Sequence, residues 1–150
     1  MNSTAKPAEP AKRKSLADSR LRKHADYQRA YEAARKRQSA SMSWFLAPQP
    51  VAVAAGTRIG LTAGKVLGKA HERNRIKRRM REALRRHLEL LPEGVDLIFH
   101  PRRTVQTMDF GKLEAEIVRI LQQAKAEAMR MAQDAVARVA PKTNVDESAS

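Results

Sequence analysis

HERNRIKRRMREALRRHL, residues 71–88, decides how the rest of the chain is read. Stepped at helical period, Ile76, Met80, Ala83, Leu84, His87, Leu88 and Leu91 fall on one side at i, i+4, i+7 and i+8, a stripe that can lie on a core. The spacing predicts a helix. Arg75, Arg78, Arg79, Arg81, Arg85 and Arg86 occupy the opposite arc with Lys77 at its edge, and only Glu82 interrupts the positive charge. Each like-charge pair at i, i+3 or i+4 costs an isolated helix about 0.2–0.5 kcal/mol, so a face this uniform calls for a compensating anion. A merely solvated face would mix signs so that Glu and Lys pair one turn apart. Arg also suits phosphate better than Lys, because its planar fork matches the oxygens where an ammonium is a point charge. A polyanionic partner is expected.

The composition agrees. With 150 residues, 42% of them hydrophobic, the chain can bury one modest core. Lys and Arg number 30 against 16 Asp and Glu, a net charge of +14, and the pI is near 10.9, which leaves nucleic acid or an anionic membrane as the leading partner classes. No apolar run approaches the roughly 20 residues that span a bilayer, and the basic helix lacks the Trp or Phe of an interfacial anchor. There is no cysteine, hence no disulfide or thiolate metal site, and no signal-peptide pattern. A cytoplasmic protein is expected.

Working outward from the helix, Arg58-Ile59-Gly60-Leu61-Thr62-Ala63 alternates as a strand, and Gly64 to Lys69 turn the chain into the helix. This glycine-rich turn is not an ATP-binding loop. Only three residues separate Gly60 from Gly64, and Val66 follows Lys65 where Ser or Thr is needed to hold magnesium. Upstream, residues 42–47 read as a strand ended by Pro48 and Pro50, with Trp44 and Leu46 on one face and Met42 or Phe45 toward the other. Alternation alone does not say which of the two faces is the core, and a register shift of one residue would exchange Trp44 and Phe45. A first helix is expected over 26–35, with Leu21 packing just ahead of it. Tyr27 and Tyr31 stand one turn apart on its face, a spacing that on its own more often marks core than a ligand platform.

Downstream, Pro92-Glu93-Gly94 stops the basic helix and residues 95–100 form an apolar central strand, with Arg102-Arg103 at its end. Asp109 can cap a third helix whose buried stripe is Leu113, Ile117, Ile120, Leu121 and Ala124. The expected organisation is a disordered basic arm over 1–17, one domain over 18–125, a helical extension over 126–140 and a disordered tail over 141–150. The fold class is α+β: a single small domain with a sheet of about four strands and three helices, in the order helix, strands, helix, strand, helix.

Catalytic chemistry is missing from this pattern. His24, His71, His87 and His100 are scattered, with no paired-His metal spacing, and His87 reads as a satisfied core or boundary histidine on the apolar stripe. The acids are dispersed, and Glu72 and Glu82 are expected to pair with the arginines around them. No catalytic residue and no metal site is assigned to the chain itself.

Arg73-Asn74-Arg75-Ile76-Lys77-Arg78, preceded by Gly68-Lys69-Ala70-His71-Glu72 and by Arg58-Ile59-Gly60-Leu61-Thr62, strongly resembles the signature of the bacterial ribonuclease P protein component. The similarity runs in motif order from about Leu21 to about Gln123, and the ordered set is far more specific than the RNR triplet alone. The resemblance implies a left-handed crossover between the parallel strands, against the usual hand. It also implies a function: protein subunit of ribonuclease P, an endoribonuclease in which the RNA subunit performs the Mg2+-dependent hydrolysis that removes the 5′ leader of precursor tRNA. Mg2+ would be held mainly by RNA, and none by the protein alone.

On these positions the resemblance assigns RNA binding to Lys65, Lys69, Arg73, Asn74, Arg75, Lys77, Arg78, Arg79, Arg81 and Arg85, and a leader-binding cleft to Tyr27, Tyr31 and Phe45. It thereby assigns Phe45 to the open side of its strand and Trp44 to the core. Two departures stand out: Tyr27 replaces a common Phe, and Val66 stands where relatives often carry a second basic residue. The partners implied are ribonuclease P RNA and precursor tRNA, with no membrane and no obligate protein partner. The rival is a structural, ribosomal-type RNA-binding protein, which shares the charge but has no use for an aromatic cleft.

Overall fold

The computed structural model describes residues 16, 19–50 and 56–139. Its centre is made by the two most apolar strands. β2 (Met42–Pro48) and β4 (Val95–Pro101) pair antiparallel along their whole length, with Trp44 opposite Phe99 and Leu46 opposite Leu97. β1 (Arg35–Gln38) adds antiparallel to β2, and β3 (Arg58–Leu61) adds parallel to β4, giving the order β1-β2-β4-β3. Both central strands are buried on two faces, which is why they read as apolar runs and not as clean alternation.

Among the described residues three α-helices cover the sheet: α1 (His24–Ala33), α2 (Ala70–Arg85) and α3 (Phe110–Val139). Met42, Trp44, Leu46, Leu97 and Phe99 pack in one cluster with Ile76, Met80 and Leu84 of α2 and with Leu113, Ile117 and Leu121 of α3. The opposite face carries a much smaller cluster, Leu21, Ala30, Ala47 and Ile98, with Tyr27, Tyr31 and Phe45 against it. The strand period of two thus sends Trp44 and Phe45 to different layers, and Met42 joins Trp44.

Several boundaries differ from the sequence reading. α1 spans 24–33, not 26–35, and the chain released at its end becomes β1. Arg35–Gln38 contains no apolar residue, so hydrophobic period could not reveal it. Its place at the sheet edge, where Lys and Arg discourage further pairing, accounts for the composition. α2 ends at Arg85 and tightens into a 3-10 turn over Leu88–Leu90, so His87, Leu88 and Leu91 leave the helical stripe. His87 instead reaches Glu114 of α3, Nε2 to Oε2, at 2.8 Å.

The predicted stripe of α3 is buried throughout, and Asp109 Oδ2 accepts the backbone N–H of Lys112 at 3.1 Å. Beyond residue 125 the same helix continues to bury Glu127 and Ala128, and Glu127 pairs with Arg37 at 2.5 Å. The β1–β2 turn is held from two sides. Glu116 of α3, 3% exposed, accepts hydrogen bonds from the Ser41 N–H and hydroxyl at 2.8 Å each and from Ser39, while Arg102 donates to the carbonyls of Ser39 and Ala40. The proposed arm over 1–17, apart from Leu16, and the tail over 141–150 lie outside the described residues.

Candidate nucleic-acid interface

The α1 face of the sheet gathers aromatic rings. Tyr31 meets Phe45 edge-on with centroids 5.1 Å apart, and Tyr27 lies 6.2 Å from Tyr31. All three rings assigned from the sequence are therefore neighbours, and all three are half-buried. A fourth was missed: His100 lies 5.0 Å from Phe45, and its Nε2 is 2.7 Å from the Tyr31 hydroxyl. The signal was available in the strand period, because His100 is two residues beyond Ile98, on the face opposite Phe99. Burial pushes the His100 imidazole below its ordinary value and the charge of Lys36, beside Phe45 in the register, pushes it further. The His100 ring is thus biased toward its neutral form.

Two devices fix α1 over the sheet. The Tyr27 ring lies on Gly60 of β3 so closely that a Cβ there would stand 2.8 Å from its Cε1, which explains a glycine inside a strand. Burial pushes the Tyr27 hydroxyl up, opposed by a hydrogen bond with the Leu61 backbone. Beside it, Arg58 forks onto Asp96 across the parallel β3–β4 pair, Nε to Oδ1 at 2.8 Å and a terminal nitrogen to Oδ2 at 2.9 Å. The same guanidinium reaches Asp26 of α1 at 3.2 Å. Asp96 is 2% exposed, and its hydrogen bonds hold Arg58 firmly charged. Sequence reading missed this network; the one cue was an acid inside an otherwise apolar strand.

The arc of α2 corrects the expectation of a nearly unpaired face. Arg75 donates to the Gln106 carbonyl at 3.0 Å, Arg79 to the Met108 carbonyl, and Arg73 to the Gly68 carbonyl at 3.2 Å. Arg85 and Arg86 both pair with Glu82, whose carboxyl they pull below its usual range, and Arg86 also sits 4.9 Å over the Phe110 ring. Among the described residues Glu72 forms no ion pair with an arginine. Its Oε1 accepts the Lys69 backbone N–H at 2.7 Å, which lowers its pKa, as the charge of Arg103 also does, and it folds over Gly68, where φ is +121° and a Cβ would strike that carboxylate. Lys65, Lys69, Lys77, Arg78 and Arg81 make no side-chain hydrogen bond or ion pair among the described residues, and Asn74 is exposed. Val66 is 85% exposed at the tip of the preceding turn.

Among the described residues there is no group of three His, Asp or Glu side chains placed to hold a metal ion. No described helix is long and apolar enough to cross a membrane.

The family model described as Ribonuclease P matches residues 16–125. The chain belongs to the ribonuclease P protein family. A ribonuclease P protein component from Chloroflexus aggregans (strain MD-66 / DSM 9485) is 41% identical over 106 residues, 70% of this chain and 76% of that one. Another from Herpetosiphon aurantiacus is 36% identical over 106 residues, covering 71% and 84%. Among solved structures, a Staphylococcus aureus RNase P protein mutant with defective mRNA degradation activity superposes with a TM-score of 0.64 at 26% identity, covering 73% of this chain and 90% of that one. The Thermotoga maritima RNase P protein shares the fold, with a TM-score of 0.61 at 24% identity, covering 69% and 96%. Membership in the ribonuclease P protein family carries the role of a ribonuclease P subunit in tRNA processing, and the ribosomal-type rival is not favoured.

Proposed function

We propose that this chain binds the catalytic RNA of ribonuclease P through the α2 arc and the 5′ leader of precursor tRNA through the ring cleft. The holoenzyme so formed, working in the cytoplasm, would remove the leader by RNA-held magnesium chemistry, with no catalytic residue from the protein. The observation that carries this reading is the convergence of Tyr27, Tyr31 and Phe45 on one sheet face, in a family member whose α2 leaves Lys77, Arg78 and Arg81 without hydrogen-bond or ion-pair partners among the described residues.

Each surface suits its assigned RNA. Ring faces accept any base by stacking, and a leader of variable sequence needs that tolerance. Folded RNA presents a major groove too deep and narrow for side chains to read, so unpartnered Lys and Arg would meet its phosphates and shape. Neutralising those phosphates releases counterions and lets substrate, catalytic RNA and magnesium crowd together.

The test is precursor-tRNA cleavage at low magnesium by a bacterial ribonuclease P RNA, with and without the protein, on substrates with and without a leader. The protein is expected to restore cleavage, with a benefit that shrinks when the leader is removed. Binding to the RNA with unchanged cleavage would overturn the reading.

A further inference from the structure

Between the ring cleft and the α2 arc lies a recess of about 450 Å³, within the size range of small-molecule sites. Its floor is apolar, built from Leu21 ahead of α1, Ile59 and Leu61 of β3, and Leu84 of α2, with Tyr27 forming one wall. The lining also includes Arg20, Arg78 and Arg81, whose guanidiniums make no hydrogen bond or ion pair among the described residues. Arg85 and Glu82 line it too, but they pair with each other and Glu82 also holds Arg86, so neither charge is free, and Leu16 adds a further apolar side chain.

This combination selects its occupant. Three unneutralised guanidiniums around one hole repel each other, so an uncharged apolar filler would bring them closer to low dielectric without compensation. A free phosphate would satisfy the arginines and leave the floor unused. The segment 1–15 carries Lys6, Lys12, Arg13 and Lys14 against Glu9, so it would add charge of the same sign. A nucleotide offers both halves, a flat base with an apolar face and a phosphate for the forked donors.

We propose that the recess takes one unpaired nucleotide of the RNA bound by α2, its base on the Leu61 and Leu84 floor beside Tyr27 and its phosphate on Arg20, Arg78 and Arg81. The identity of that RNA rests on the function proposed above; the recess chemistry does not. Tyr27 then belongs to two sites at once, with a wall of the recess on one side and the ring cleft on the other.

The experiment uses the full chain with labelled leucine methyls, titrated with uridine 5′-monophosphate and, separately, with ribose 5-phosphate. The nucleotide is expected to shift the Leu61 and Leu84 methyls saturably, the sugar phosphate to bind about tenfold more weakly, and Arg20→Ala, an exposed position, to weaken the nucleotide about tenfold. Bound ribonuclease P RNA is expected to shift the same methyls and to block added nucleotide. Equal affinity for both probes with unmoved methyls would reduce the rim to a phosphate patch and overturn the proposal. RNA that binds while the methyls stay put and still respond to nucleotide would overturn it too, leaving the RNA-binding reading intact. Failure of the protein to bind that RNA at all would remove both.

Discussion

Trp44 and Phe45 are consecutive residues of β2, and they end in surroundings that differ in kind. Toward α2 and α3, Met42, Trp44, Leu97 and Phe99 are covered to 1% exposure or less. Toward α1, Ala47 and Ile98 are covered while Phe45, Tyr31 and His100 remain half open. The difference lies in the covering helices. α1 has 10 residues, about 15 Å of helix, and packs chiefly on β2. Thirty residues of α3, with α2 beside it, close the other side. Side chains of similar chemistry become core or cleft according to how much helix lies over them.

That contrast can be broken most severely on the closed side. Trp44→Ala should cost about 3–5 kcal/mol of stability in urea unfolding. Phe45→Ala, one residue away, should cost about 1 kcal/mol and instead weaken leader-dependent binding of precursor tRNA. Equal losses of stability would mean the two faces are not distinct.

The next largest effect probes what holds α1 down. Removing Arg58 by Arg58→Met strands the carboxylate of Asp96 in the sheet and should cost about 3 kcal/mol. Arg58→Lys should recover only part of it, since an ammonium cannot span both oxygens and Asp26. Full recovery by lysine would reduce the network to simple charge.

On the α2 arc the prediction is read in salt dependence. Arg78→Ala should lower the slope of log affinity for ribonuclease P RNA against log salt by about 0.7–0.9. Arg85→Ala should lower it less, because Glu82 already pairs with Arg85. The reverse order would contradict the division into paired and unpaired arginines.

The smallest effect concerns pH. His100 has a folded-state pKa below its ordinary 6.5, so the unfolded chain takes up that proton first as pH falls. Stability from the neutral ring is fully present above about 6.5 and is lost as pH drops from there through the folded-state value. His100→Phe should flatten that part of the stability profile, measured by urea midpoints; an unchanged slope would assign it to another group.

Much of this arrangement could be read from one sequence because it is periodic. The stripe from Ile76 to Leu84, the stripe from Leu113 to Ala124 and the placing of Trp44 and Phe45 on opposite faces follow from helix and strand repeats, while which of those faces is the core came from the family resemblance. The elements that escaped are those with no period. β1 is Arg-Lys-Arg-Gln and is specified by its neighbour in the sheet. Arg58, Asp26 and Asp96 meet only because β3 pairs in parallel with β4 while α1 crosses above. The basic arc illustrates the same limit from the other direction: composition counted its charges, but only the fold assigns Arg75 to Gln106, Arg79 to Met108 and Arg86 to Glu114.

The carboxylate of Glu72, turned back over Gly68 onto the Lys69 amide, has one more effect. The start of a helix is ordinarily an anion trap, with free amide protons and the positive end of the helix dipole aimed outward. Here that trap is already filled by a negative charge from within the chain. On the RNA-binding role proposed for α2, an approaching phosphate would find one donor withdrawn and a like charge in its way, which would move the attraction from the tip of the helix to its flank, where Lys77, Arg78 and Arg81 stand. A strand of RNA bound in that way would lie along the helix and not abut its end.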